Sequence, residues 1–277
     1  MSDNLKIHGL FLTKTGKSRG WGMDIKARIK LYKDSDFLLK RSVYWFALPF
    51  WRILQFFRDA RFRAERVTRF RYNFFHHQGS TFTMLHRYPV LFRACAAYFS
   101  AHPNPKILSF GCSTGEEVVS LAEYLPTATI MGVDINEWCL SQCRKNNKNQ
   151  KHNFYHRLSP EFVSAEGFDA IFCMAVFQRS ENRINHNSDA DPGFTFENFE
   201  QEIQFLDVKL KSGGLFIIDQ ADFSFADTAL AARYVPLDIE KNRIVRNRPL
   251  FDKDNKKCAD SQYLYRVFVK TSHSLQQ

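Results

Sequence analysis

No C-x-x-C pair occurs among the six cysteines (Cys95, Cys112, Cys139, Cys143, Cys173 and Cys258), and none clusters with histidine. Neither a disulfide framework nor a zinc site therefore has support. Several cysteines lie inside apolar runs, as in Ile171-Phe172-Cys173-Met174, which is the setting of reduced core thiols. Long hydrophobic runs are lacking too. The longest, 43–57, is interrupted by Pro49, Arg52 and Gln55 and falls short of the ~20 apolar residues that span a bilayer. The first twenty residues hold Lys6, Lys14, Lys17 and Arg19 without an apolar core, so no secretory signal is expected. Together these absences predict a cytoplasmic protein.

Acidic charge is scarce at one end. Residues 1–100 hold 19 Lys/Arg against 6 Asp/Glu, whereas residues 101–277 hold 20 against 23. The 277-residue chain is otherwise globular in composition, at 44% apolar and 25% charged, with an unusual 28 Phe. The asymmetry divides it into a basic, aromatic-rich helical region over residues 1–80 and a nearly neutral domain over 81–277.

Residues 1–36 read as irregular. Across 37–75, Val43, Phe46, Phe50, Leu54 and Phe57 recur at helical spacing. Pro49 predicts a kink or a break into two helices there. A second helical stretch covers 86–100 and is stopped by His102-Pro103-Asn104-Pro105. Strands and helices then alternate: strands at 106–110, 129–134, 168–176, 215–219 and 263–269, helices at 116–125, 136–146 and 196–210. The last helix is read as ending at Ser212-Gly213-Gly214, where glycine suits a left-handed cap. This order predicts an α/β fold, a Rossmann-like, mostly parallel sheet with helices on both faces.

In such sheets ligands bind beyond the carboxyl ends of the strands. The first strand runs into Gly111-Cys112-Ser113-Thr114-Gly115-Glu116-Glu117 and opens a helix; the second ends in Val133-Asp134. Glycines permit a tight turn and close approach of a ligand. A carboxylate about twenty residues on is placed for the two hydroxyls of a ribose. The dinucleotide fingerprint is absent, since position 113 is Ser, and so is the phosphate loop. Glu116 and Glu117 occupy the turn where a pyrophosphate needs bare N–H groups. They suit a ligand with an ammonium group and no phosphate, which describes S-adenosylmethionine; the alternative is ordinary favourable charge at a helix start.

The run 106–117 resembles motif I of the class I S-adenosylmethionine-dependent methyltransferases, and more narrowly the "GCSTGEE" form of the chemotaxis-receptor (CheR-type) enzymes. The resemblance extends upstream to a T-x-x-x-R pattern, here Thr83-Met84-Leu85-His86-Arg87. It implies that Arg87, helped by Thr83, binds the methionine carboxylate, that Glu117 takes the α-ammonium and Asp134 the ribose. Gly111, Ser113, Gly115, Ile135 and Met174 join the implied cofactor contacts, and Leu158 marks where adenine would pack. Phe168-Asp169-Ala170-Ile171-Phe172-Cys173 is similar to the family's fourth strand. The CheR "RNV" and its following tyrosine are replaced by Met174-Ala175-Val176 and Arg179, and no N-P-P-[YF] signature occurs. The acceptor expected is thus a small molecule, glycan or lipid-linked group rather than a receptor glutamate.

Candidates for a general base are His186, Glu181, Asp219 and His156, each also readable as structural or surface. The polar segment 179–194 is the expected acceptor-facing loop. The basic region has three readings: a helical cap on the domain, an interfacial helix contacting anionic membrane through residues 41–71, as at the inner face of a membrane, and nucleic-acid binding, ranked last. A degenerate methyltransferase fold serving as a binding module at a membrane is the competing function.

Overall fold

In the computed structural model, residues 38–72, 78–147, 151–180, 182, 189–239, 244–245, 249–259, 262–263 and 265–272 are described. The chain divides into two compact units, Met1–Arg63 and Ala64–Gln277. The first contains α1 (Leu38–Arg58) and the opening of α2 (Ala60–Arg71). The break expected at Pro49 does not occur there: α1 continues through it. A proline removes one intrahelical bond, whereas the apolar positions on both sides of Pro49 stay in phase. The break falls at Asp59, whose Oδ1 accepts the Phe62 N–H at 3.0 Å and caps the next helix.

The second unit is built on a sheet of order β3-β2-β1-β4-β5-β9-β6. Its strands are β1 (Lys106–Phe110), β2 (Thr129–Asp134), β3 (Asn153–His156), β4 (Phe168–Met174), β5 (Leu210–Asp219), β6 (Tyr234–Pro236) and β9 (Val267–Lys270). A small pair, β7 (Ile244–Val245) and β8 (Gln262–Tyr263), lies apart from it. β1 to β5 are parallel, and β9 runs antiparallel to β5 and β6.

Alternation along the strands assigns the layers, since successive side chains point to opposite faces. Ile107, Phe172 and Leu215 pack with α3 (Pro89–Tyr98), α4 (Glu116–Tyr124) and α5 (Glu137–Asn146). Leu108, Ile171 and Phe216 pack on the other side with α6 (Pro160–Val163) and α7 (Phe196–Asp207). Both faces of the sheet are covered, and the fold is the α/β arrangement expected.

Several boundaries differ from expectation: among the strands, β4 ends at Met174 rather than at 176 and β5 begins at Leu210 rather than at 215. The helix expected over 86–100 starts at Pro89, because His86 takes a left-handed φ of 52° and proline suits a first helical turn. α7 ends at Asp207, and Gly213-Gly214 sit inside β5 rather than capping a helix. A Cβ on Gly214 would lie 2.7 Å from Leu210 Cδ1 and 2.9 Å from the Lys211 carbonyl, so the pair makes a tight irregular turn within the strand. The final strand covers Val267–Lys270 rather than 263–269.

Candidate active site

β1 has β2 on one side and β4 on the other, so the connections leave in opposite directions from its carboxyl end. A cavity of about 380 Å³ opens at that switch point. Its floor is the turn after β1. Gly111 has φ +77°, and a Cβ there would meet Val176 Cγ2 at 2.3 Å. Gly115, at φ +95°, caps α4, where the left-handed backbone favours glycine. Ser113, the residue that breaks the dinucleotide fingerprint, nonetheless adopts φ +50°. Its N–H donates to Asp134 Oδ2 at 2.8 Å and its hydroxyl to the Thr81 carbonyl at 3.0 Å.

Four carboxylates, Glu65, Glu117, Asp134 and Glu202, and two guanidiniums, Arg87 and Arg157, line this cavity. Glu117, in the first turn of α4, accepts the Ser109 hydroxyl at 2.7 Å. Burial pushes its pKa up to about 7, against the Ser109 hydrogen bond and the Arg87 charge. Asp134 ends β2, and its Oδ1 accepts the Asn136 N–H at 2.8 Å. Burial raises its pKa also, opposed by the N–H groups of Asn136, Ser113 and Ile135. Arg87 lies 5.6 Å from the Phe82 ring and 5.1 Å from the Tyr88 ring, within cation–π range.

Segment 78–88 forms one wall and is tied down along its length. Gln78 Nε2 donates to the Ala175 carbonyl at 3.2 Å, Thr81 Oγ1 to Glu65 Oε1 at 3.1 Å, and the His86 N–H to Ser120 Oγ at 2.9 Å. Ala175, just past β4, has φ +59° and also accepts Gln178 Nε2 at 2.9 Å. The opposite wall holds a buried ion pair. Arg157 NH2 is 3.2 Å from Glu202 Oε1, and the guanidinium lies 3.7 Å from the Phe205 ring centre. Burial raises the Glu202 pKa, opposed by Arg157.

The structure brings Thr83, Arg87, Gly111, Ser113, Glu117, Asp134, Ile135 and Met174 to the cavity lining. Gly115 shapes the floor from beneath without lining it. Leu158 is outside the lining and 42% exposed. The turn after β3 puts Arg157, not Leu158, on the cavity side, because Leu158 N–H is drawn back to His156 Nδ1 at 3.2 Å. His156 Nε2 contacts the Ile135 carbonyl at 3.1 Å and its ring packs on Tyr72; Asp219 pairs with Arg266 at 3.4 Å. Neither lines the cavity. Glu181 and His186 lie outside the described residues, as does much of 179–194. Among its described residues Arg179, Asn182 and Phe194 are buried, Asp189 and Pro192 are exposed, and Asn182 Nδ2 donates to Asp222 at 2.7 Å.

The sequence reading missed Glu65, Gln78, Arg157 and Glu202. Glu202 left a signal, an acid between Phe199 and Ile203 on the apolar face of α7.

A family described as "Methyltransferase domain" matches residues 101–270, more than half of the chain. The chain belongs to this methyltransferase family. Among solved structures it is similar to the plantazolicin methyltransferase BpumL in complex with SAH, at 17% identity and TM-score 0.37, over 72% of this chain and 62% of that one. It is also similar to PKMT2 from Rickettsia typhi, at 20% identity and TM-score 0.33, over 47% and 24%. A third is an S-adenosylmethionine-dependent methyltransferase from Mesorhizobium loti, at 15% identity and TM-score 0.31, over 46% and 52%. The chain spans less than two thirds of the length of each. No curated protein matches it in sequence.

The cavity of this methyltransferase fits the family's cofactor by the chemistry of its donors. Glu117 is a half-buried carboxylate that accepts the neutral Ser109 hydroxyl, and an ammonium group would complement it. Asp134 retains lone pairs beyond those it gives to the N–H groups of Ser113, Asn136 and Ile135. The volume lies at the lower end of the ~300–1,000 Å³ usual for small-molecule sites.

Proposed function

We propose that this protein transfers a methyl group from S-adenosylmethionine to a small molecule, glycan or lipid-linked acceptor. The observation that carries the proposal is the convergence of Arg87, Glu117 and Asp134 on one cavity at the carboxyl edge of the sheet. When bound, the cofactor supplies an electrophilic methyl on sulfur. Arg87 and Thr83 would hold its carboxylate, in keeping with the CheR-like pattern; Glu117 would hold the ammonium and Asp134 the ribose hydroxyls. The chain then acts chiefly by alignment, fixing donor and acceptor so that displacement is effectively unimolecular.

Beside the end of β4 the lining is Met174, Ala175, Val176 and the two glutamines Gln78 and Gln178, none of them a base. Glu65, hydrogen-bonded to Thr81, is a further carboxylate of the lining. We assign it to the acceptor.

Calorimetry with S-adenosylhomocysteine tests the cofactor site. Wild-type protein is expected to bind and Asp134→Ala to lose most of the affinity. Absence of wild-type binding, or equal binding by the variant, overturns the proposal. Comparing metabolites of a deletion strain for a missing methyl increment identifies the acceptor.

A further inference from the structure

Helix α1 carries a bare apolar face. At ~100° per residue, Phe46, Phe50, Ile53, Leu54 and Phe57 fall on one arc, and Trp45 stands beyond it. All six are exposed, Phe46 by 79%, Phe50 by 63% and Phe57 by 73%. The opposite side, with Tyr44, Leu48, Trp51 and Gln55, is half-buried. Contiguous apolar surface of this kind marks an interaction site, since water solvates it poorly.

The charge around that face is of one sign. Residues 38–71 contain nine Lys/Arg, with Asp59 and Glu65 as the acidic residues. Arg52, Arg58 and Arg61 are exposed. Arg63 NH1 donates to the Phe56 and Phe57 carbonyls, each at 3.2 Å, and so fixes a cation at the end of α1.

We infer that α1 docks on an anionic lipid bilayer, with Phe46, Phe50 and Phe57 among the acyl-chain ends and the arginines at the headgroup phosphates. No helix of the described residues is long and apolar enough to cross a membrane. A basic amphipathic helix with an aromatic face lies in the plane of the interface instead. A second copy is the weaker occupant. Face-to-face pairing would bring two strongly basic stretches together, whereas an anionic surface turns the same charges into attraction.

The test uses the full chain with vesicles of phosphatidylcholine alone or mixed equally with phosphatidylglycerol. Sedimentation with the mixed vesicles is expected, reversed by added salt, and absent with the neutral ones. A triple F46S/F50S/F57S variant is expected to bind at least about tenfold more weakly, through lost apolar burial, and F46L/F50L/F57L to retain binding. R52Q/R58Q/R61Q should weaken binding to mixed vesicles and reduce its dependence on salt. S-adenosylhomocysteine calorimetry on each variant reports an intact second unit and separates this inference from the proposed reaction. No binding to mixed vesicles, equal binding to neutral ones, or an unaltered serine variant overturns it. A dimer in ultracentrifugation that the serine variant converts to monomer assigns the face to a second copy, and likewise overturns it.

Discussion

Ser113 and Asp134 are bound to each other across the mouth of the sheet: the Ser113 N–H donates to Asp134 Oδ2 at 2.8 Å while Ser113 holds a left-handed φ of 50°. The loop after β1 and the end of β2 are thereby one unit, and the carboxylate is oriented before any ligand arrives. Preorganisation of this kind limits the ordering that binding must impose.

The first prediction follows from that bond. Asp134→Ala removes the acceptor for the N–H groups of Ser113 and Asn136 as well as the ribose contact. Hydrogen bonds to a charged group contribute about 1.5–3 kcal/mol each. S-adenosylhomocysteine affinity should fall by roughly 100-fold, and thermal melting should drop as well. Asp134→Asn, which keeps one acceptor oxygen, should fall between wild type and alanine in both measurements.

Glu117 predicts a pH dependence. Burial pushes its pKa up to about 7, from 4.5 for an ordinary glutamate carboxyl. Between those values the folded state holds a proton that the unfolded chain has released. Unliganded stability therefore falls as pH rises from about 4.5 to 7, by about 3 kcal/mol for this group. Ligand ammonium needs the ionised form, so S-adenosylhomocysteine affinity should rise about tenfold per pH unit below 7 and level off above it. In Glu117→Gln that rise between pH 5 and 7 should vanish. An unchanged slope in calorimetry would place the proton elsewhere.

Arg87 is separable from Asp134 by choice of ligand. Its guanidinium, supported by the Phe82 and Tyr88 rings, is assigned to the amino-acid end of the cofactor. Arg87→Ala should weaken S-adenosylhomocysteine by at least about tenfold, the loss of one charge-assisted contact. Binding of 5′-methylthioadenosine, which lacks the carboxylate, should be unaffected. Equal losses for both ligands would mean that Arg87 only holds the wall together.

Much of this site was legible because its signals are local. The apolar runs of β1 and β2 each end in a glycine turn or a carboxylate, and the structure places both strands at the residues expected, with Glu117 and Asp134 on one cavity. Long-range pairings left no such trace. Arg157 and Glu202 are 45 residues apart, and neither spacing nor periodicity joins them. Short elements failed for a related reason: β3 has four residues, Asn153–His156, too few to display a period. With β3 not expected from the sequence, Leu158 is the residue expected at the cavity, whereas Arg157 lines it. Gly213-Gly214 misled in the other direction, since a glycine pair serves a cap and a strand irregularity equally well.

The Arg157–Glu202 pair makes a prediction about stability. Both side chains are buried, and the guanidinium is covered by Phe205 at 3.7 Å. Breaking a buried ion pair by removing one partner costs about 3–5 kcal/mol, whereas an apolar pair of similar volume is near neutral. Glu202→Ala alone should therefore lower the denaturation free energy by that amount. R157M/E202L should return to within about 1 kcal/mol of wild type, methionine keeping the contact with Phe205. Urea denaturation of the two variants measures both. A double variant as unstable as Glu202→Ala would show that the hydrogen-bonded geometry of the pair, rather than its charge balance, holds α7 to the turn after β3.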